Sequence, residues 1–318
     1  MKALAVVAGG MGNIIQMTAA IRTIRERLGW QLDILSASLS GPRGAHADLD
    51  PVLPGAVYTR ATVHYADYEG VVLLGYGSTG RVANWEARGL KLLNDPARQA
   101  ITCDRSEVDV SMNACRELGV AENDLNWHGD VNWNRDCPER FDVVFANGYY
   151  RDKAGGHWDV KGFPGFGSLA AAIKQKWPRL SICSIGRDGR EAIHGTVDRT
   201  GLPLLDSLAL VARARFTVCT DSMALHAAAA IGARTYALFT ATSVRKNFEP
   251  RFHWNARLVG RDDLICRADC QRRGHAWRQC PRRECQEIGI GHILQCIAED
   301  YAGTPQPMIS DSGVEAIV

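Results

Sequence analysis

Four places in the chain carry residue types and spacings that could do chemistry. At Thr220-Asp221-Ser222 an apolar run stops and a helix opens through Met223, Ala224 and His226. Asp221 or Ser222 can accept hydrogen bonds from the first free backbone N–H groups of that helix. The remaining free donors and the positive end of the helix dipole make an anion site, and a diphosphate fits it. At Gly9-Gly10-Met11-Gly12-Asn13 a glycine turn leads into another helix and offers backbone N–H groups and the Asn13 carboxamide. The same glycines can equally serve a tight turn and nothing more. Lys161, in Lys161-Gly162-Phe163-Pro164, is either a solvated surface group or a mobile positive charge beside a phosphate-binding helix start. His226 sits among alanines, where it reads as a core histidine bonded to neighbouring backbone or as a ligand contact.

The fourth place is Cys266, Cys270, Cys280 and Cys285, spaced C-x3-C-x9-C-x4-C with His275 inside the loop. Four soft ligands there could hold a tetrahedral structural zinc or iron, or stand as four reduced thiols in a compact loop. Arg267, Arg272, Arg273, Arg278, Arg282 and Arg283 share the segment. Cysteines interleaved with arginines can build a nucleic-acid module. No aromatic platform or repeat accompanies them, so no nucleic-acid partner is expected.

These groups need elements to position them. Ala3 to Ala8 is a continuous apolar run, as in a strand buried on both faces. Apolar residues at Ile14, Met17, Ile21, Ile24 and Leu28 then follow at helical spacing, and Gln31 to Leu35 returns to strand. Further strands are expected at Val71 to Leu74, Phe141 to Ala146, Leu180 to Ile185 and Phe216 to Thr220, with a helix from Ser106 to Leu118. The pattern restarts after Asn126 to Pro138, a stretch that reads as a linker. Two parallel-sheet halves are the result, with their loops available at the carboxyl ends of the strands. The first glycines are not GxGxxG and no acidic residue stands where a ribose contact belongs, which disfavours a dinucleotide fold.

Composition bounds the rest. The chain has 318 residues, 46% apolar and 23% charged, with a net charge of +2 too small to argue for nucleic acid or membrane on its own. No apolar run reaches eighteen residues, and the short apolar start fits a first strand better than a signal peptide. A cytoplasmic location is therefore expected, and the ten cysteines are read as reduced or metal-bound.

Taken together, the motifs resemble glycosyltransferase family 9, the heptosyltransferases of lipopolysaccharide inner core. Gly10-Met11-Gly12-Asn13 with Thr18-Ala19-Ala20-Ile21-Arg22 is similar to the N-terminal glycine motif and the Thr-Pro-Ala-Ile-Arg that continues it. Lys161-Gly162-Phe163-Pro164 resembles the Lys-x-Trp-Pro segment. Asp221 through Ala229 is similar to Asp-Ser/Thr-Gly-x-x-His-x-Ala-Ala, and Phe239-Thr240-Ala241-Thr242 to the Phe/Tyr-Gly-Pro-Thr that follows. The resemblance implies a GT-B fold, in which two Rossmann-like domains face a central cleft. It places the acceptor domain at 1–138, the nucleotide-sugar domain at 139–287, and a last helix, 288–302, crossing back to the first domain; 303–318 is expected as a mobile tail.

The implied reaction is an inverting transfer of a sugar, heptose foremost, from a nucleotide sugar such as ADP-heptose, with no catalytic metal or other cofactor. The acceptor would be a lipopolysaccharide-type or other glycan, or a lipid-linked acceptor, which leaves room for peripheral membrane contact. Asp221, Ser222, Met223, Ala224, His226 and Thr240 would bind the donor, Lys161 would neutralise the leaving diphosphate, and Gly10, Gly12 and Asn13 would face the acceptor. Family members carry an aspartate as general base where this chain has Asn13. A carboxamide orients a hydroxyl but does not take its proton, and a positioned base is worth roughly 10² to 10⁴ in rate. Asp48, His64 and Asp67 are the alternative bases. A relative that binds a nucleotide sugar without transferring it is the rival expectation.

Overall fold

The computed structural model describes residues 1–36, 50–58, 62–75, 85, 88–100, 102, 104–148, 159–261, 263, 264 and 280–302. In the first half, β1 (Lys2–Val7), α1 (Met11–Leu28), β2 (Gln31–Ser36), β3 (Val57–Tyr58), β4 (Gly70–Leu74), β5 (Lys91–Leu92) and α2 (Glu107–Glu117) follow in order. In the second, β6 (Val143–Ala146), α3 (Phe166–Lys176), β7 (Ile182–Gly186), β8 (Val197–Thr200), α4 (Leu204–Arg213), β9 (Phe216–Thr220), α5 (Met223–Ile231), β10 (Thr235–Phe239), α6 (Val244–Asn247), β11 (Ala256–Gly260) and α7 (Ile290–Ala302) follow.

Both sheets are parallel throughout, in the orders β3-β2-β1-β4-β5 and β11-β10-β9-β6-β7-β8. Order reverses beside β1 in one and between β6 and β9 in the other, and such switch points are where open α/β sheets bind ligands. The Gly9 turn leaves the carboxyl end of β1 and Asp221 leaves that of β9, so both motifs lie at these points. The expectation of two Rossmann-like parallel-sheet halves is met.

α1 forms because Ile14, Met17, Ile21 and Ile24 make one buried stripe, and it ends at Gly29, which takes the left-handed φ of 65° that a helix stop asks for. Its buried hydroxyls have a separate task. Thr18 Oγ1 accepts from the Asp130 N–H at 2.9 Å, and Thr23 Oγ1 accepts from Asn126 N–H at 3.0 Å while donating to its carbonyl at 3.1 Å. These bonds lay the connecting segment along α1.

α5 belongs to both halves. Ala227 and Ala229 join the core that contains Ile14, Ile21 and Met112, while Ala224, Leu225 and Ala228 join the core of Val144, Cys219 and Phe239. An alanine-rich helix buried on all sides lets the α1 backbone come close. The linker needs the same room, since a Cβ at Gly129 would stand 2.6 Å from Ala230 Cβ.

α7 departs from expectation. Its Ile293, Cys296 and Ile297 pack with Val143, Phe166 and Ile173 of the second half, and Arg257 pairs with Glu299 at 2.7 Å and Asp300 at 3.2 Å. The apolar face of the helix is thus committed to the second sheet instead of crossing back to the first. Contact between the halves includes α1 against α5, and α2 with the residues that follow it against the 246–251 segment, where Arg251 stacks 3.5 Å from the Trp127 ring and lies 3.5 Å from Glu122. Residues 303–318 lie outside the described residues.

Candidate active site at two facing helix starts

The starts of α1 and α5 meet. A Cβ built on Gly12 would stand 2.7 Å from His226 Cδ2 and 3.5 Å from Met223 Cα, so only glycine fits there without displacing a buried ring. Gln16, one turn further along α1, places Nε2 3.2 Å from His226 Nε2.

Asp221 is 3% exposed at the end of β9. Lys161 Nζ lies 3.2 Å from its Oδ2, Asn247 Nδ2 donates to the same oxygen at 3.0 Å, and His226 Nε2 is 3.5 Å from Oδ1. Burial alone would raise its pKa; the Lys161 ammonium and the His226 ring outweigh that and hold the carboxyl below the usual range. Asp221 is therefore an anion that fixes a cation, and its oxygens are turned to the protein.

Lys161 is itself held by its backbone. Thr240 Oγ1 donates to the Lys161 carbonyl at 2.8 Å, and the Asn147 amide both accepts from Phe163 N–H at 2.9 Å and donates to its carbonyl at 3.1 Å. Gln286 Nε2 adds bonds to the carbonyls of Asp159 and Gly162, both at 2.8 Å. Thr240, 1% exposed, thus secures the Lys161 turn from behind.

His226 is 4% exposed with both ring nitrogens occupied, Nε2 by Gln16 and Asp221 and Nδ1 by His253 Nε2 at 3.0 Å. The ring is buried, with side-chain partners where the core-histidine reading expected backbone. His253 is pulled down to about 3 by burial and then by the neighbouring His226, so it is neutral near pH 7. Its Nδ1 meets the Glu249 backbone at 3.0 Å. The rings thus continue a buried polar chain from Gln16 in the first half to Glu249 in the second, where Ser106 Oγ donates to Glu249 Oε2 at 2.8 Å.

The N-cap of α5, Ser222, makes no side-chain cap bond, and its buried Oγ has no hydrogen-bond partner among the described residues. The first-turn N–H groups of Met223 and Ala224 have no helix carbonyl to bond. A hydroxyl and two amides at a helix start next to Lys161 can accept a diphosphate. Met223 is half-buried and packs on the first-half core, which explains a bulky residue at this turn.

At the other start, Gly9 has φ +112°, a conformation that favours glycine, and Gly10 N–H donates to Asn13 Oδ1 at 2.9 Å. That bond fixes the orientation of the amide, so Asn13 Nδ2 points away and donates to Glu107 Oε2. Glu107 is 4% exposed and its Oε1 is 3.1 Å from Lys246 Nζ. Lys246 and Asn247 are neighbours on α6, so one short helix touches Glu107 with the first and Asp221 with the second.

Glu107, Lys246, Asn247, Gln16 and His253 stand at this candidate site, and none of them is marked out by the sequence. In the sequence Glu107 is an ordinary acidic residue in the first turn of a helix. The alternative bases are not gathered here. His64 and Asp67 form an exposed pair at 3.0 Å beside the amino ends of β1 and β4, opposite the Gly9 turn, and Asp48 lies outside the described residues.

The metal expectation gains no support. Cys266, Cys270 and His275 lie outside the described residues, and among the described ones no cluster of three His, Cys, Asp or Glu side chains is arranged for a metal. Cys280 is half-buried, and Cys285 packs on Val160 and Ala241, an apolar setting. No described helix is long and apolar enough to cross a membrane.

No protein-family model matches the chain, and no curated protein matches it by sequence. Solved structures do. A family 9 glycosyl transferase from Veillonella parvula superposes with a TM-score of 0.66 at 11% identity, over 95% of this chain and 98% of that one. The ADP-heptose lipopolysaccharide heptosyltransferase II of E. coli gives 0.63 at 14% identity, over 94% and 98%. The iron-containing dodecameric glycosyltransferase TibC of enterotoxigenic E. coli gives 0.61 at 14% identity, over 94% of this chain and 77% of that one. With two parallel sheets and two helix starts face to face between them, the chain has the GT-B fold of the family 9 heptosyltransferase structures.

Proposed function

We propose that the protein is a glycosyltransferase that moves a sugar from a nucleotide sugar, ADP-heptose foremost, to a lipopolysaccharide-type or other glycan, with inversion and without a catalytic metal. The observation that carries this reading is the start of α5, where the Lys161 ammonium is locked on buried Asp221 beside the Ser222 hydroxyl, which has no partner among the described residues. Fixed positive charge aimed at the place where negative charge develops is what a departing diphosphate needs. Structures of similar fold hold ADP in E. coli WaaC and ADP-D-beta-D-heptose in TibC, which favours an adenine nucleotide. Ser222, Met223 and Ala224 would bind the diphosphate directly; Asp221, His226 and Thr240 would set Lys161 and the helix in place. Gly10, Gly12 and Asn13 would face the acceptor. We assign the acceptor side to 1–138 and the donor side to 139–287.

Nucleotide-sugar binding without transfer is the second reading, favoured by Asn13 alone. A thermal-shift series over ADP, UDP, GDP and their sugars, followed by nucleotide release with acceptor extracts, separates the two. Stabilisation by ADP-sugars and acceptor-dependent release of ADP are expected. Stabilisation without release selects the silent binder, and no stabilisation by any nucleotide ends both.

A further inference from the structure

Asn13 removes the carboxylate that the resemblance places at the start of α1, and the structure puts another in contact with it. Gly10 N–H requires an oxygen from residue 13, so the side of that residue facing Glu107 must be a donor. An aspartate at 13 would set two carboxylates against each other in a site where Glu107 is 4% exposed. The amide at 13 and the acid at 107 are therefore one arrangement, with the carboxylate on α2 and the amide on α1.

Position 107 suits an anion. It is the first residue of α2, next to the positive end of the helix, and the Ser106 hydroxyl caps that end by accepting from Asp109 N–H at 3.0 Å. Lys246 supplies the countercharge at 3.1 Å. Both partners of the carboxylate reach solvent, since Asn13 is half-buried and the Lys246 side chain is 25% exposed. An acceptor hydroxyl that displaces either one meets a Glu107 oxygen. The same α6 helix that carries Lys246 reaches Asp221 through Asn247, which sets Glu107 beside the proposed donor site.

We infer that Glu107 is the general base of this chain and that Asn13 orients the hydroxyl it deprotonates. The inference rests on the glycosyl-transfer reading. In the step, the acceptor oxygen bonds to the anomeric carbon of the donor sugar as its proton passes to a Glu107 oxygen. The bond from the anomeric carbon to the diphosphate breaks, and its electron pair leaves on the diphosphate at the Lys161 side.

The test uses the full chain as Glu107→Gln, Asn13→Asp and the double variant, each measured for melting temperature, nucleotide affinity, and kcat of nucleotide release across pH. Glu107→Gln is expected to lose roughly 10² to 10⁴ in kcat with nucleotide affinity unchanged. Asn13→Asp alone is expected to melt lower, because like charges meet. The double variant, which exchanges the acid and the amide between positions 13 and 107, is expected to melt higher than Asn13→Asp. It should also regain at least about tenfold in kcat over Glu107→Gln, with the acid limb of its pH profile displaced. Glu107→Gln at wild-type kcat overturns the inference while leaving the proposed function intact. A deficit that the double variant does not recover, or that leaves the pH profile unchanged, makes Glu107 a structural ion-pair partner and overturns it too. Should Glu107→Gln not fold, the double variant decides by its own turnover. A wild-type chain that binds nucleotide but never transfers removes both proposals.

Discussion

The starts of α1 and α5 share one local geometry, an extended residue ahead of the first helical turn, and they touch at Gly12 and His226. Their charges are settled in different ways. At α5 the carboxylate of Asp221 is paired with Lys161 and further held by Asn247 and His226, all inside the second half. At α1 the first turn carries no acid; Asn13 depends on Glu107 from α2, and Glu107 depends on Lys246 from the other half. The charge at the α5 start is balanced within one sheet domain, while that at the α1 start is balanced only when the two halves are together. Under the proposed transfer, donor binding would rest mainly on one half and acceptor activation on both.

The largest effect should come from breaking the self-contained side. Lys161→Met leaves Asp221 buried with an amide and a histidine ring and no fixed cation. Removing one partner of a buried pair costs about 3 kcal/mol or more, and Asp221→Asn in the same chain should recover much of it because the uncompensated charge is gone. Urea denaturation of the single and double variants checks this. Equal stabilities for the two would mean that Lys161 does not govern the Asp221 charge. Under the proposed transfer, both variants should also lose about 10² or more in kcat.

The contact between the starts should come next. Gly12→Ala places a methyl group 2.7 Å from the His226 ring, which cannot swing aside because both nitrogens are held. Overpacking of this kind costs about 1–3 kcal/mol. Gly10→Ala meets only Asn13 Oδ1 at 3.2 Å on an exposed turn, at an ordinary φ of −74°, and should cost less than about 0.5 kcal/mol. Thermal melts of the pair measure how tightly the halves are joined. If both glycines tolerate alanine equally, the α1–α5 approach is looser than 2.7 Å implies.

How much of this is legible in the sequence follows from which signals are local. β1, α1, β9 and α5 are readable because a buried parallel strand and an amphipathic helix each leave a run or a period, and the turns between them carry glycine or Asp-Ser. The two-residue strands β3 and β5, the exposed β8 and the single turn α6 leave neither, and the sequence does not announce them. Lys161, Asp221 and His226 stand out from sequence, but not that Asp221 and His226 turn inward as supports for Lys161 and α1. Glu107 is invisible for a related reason: it stands 94 positions from Asn13, and nothing near it in sequence tells a buried acid from a solvated one. The placement of α7 fails because an amphipathic helix declares that it has an apolar face and not which core will take it.

The last effect lies in the pair of rings behind the contact, and pH reads it out. Burial, then the His226 ring, pulls His253 down to about 3, against about 6.5 for an unfolded histidine. The folded chain thus binds fewer protons than the unfolded one between these values. The His253 contribution to stability is full above about pH 6.5 and is lost progressively as pH falls toward 3. By pH 5 the loss is about 2 kcal/mol, at about 1.4 kcal/mol per pH unit. Asp221, held low, acts with the same sign but only below the ordinary carboxylate range near pH 4, so the span from about 6.5 to about 4.5 belongs to histidine. His253→Gln removes the titrating ring and also its stack on Phe248 at 4.8 Å, so it should melt lower at pH 7 yet lose less on going to pH 5. A variant curve running parallel to wild type would mean that His253 takes no proton on unfolding in this window. A flattened curve would show that acid weakens the chain from Gln16 to Glu249, a buried polar path that crosses between the halves through the α5 start.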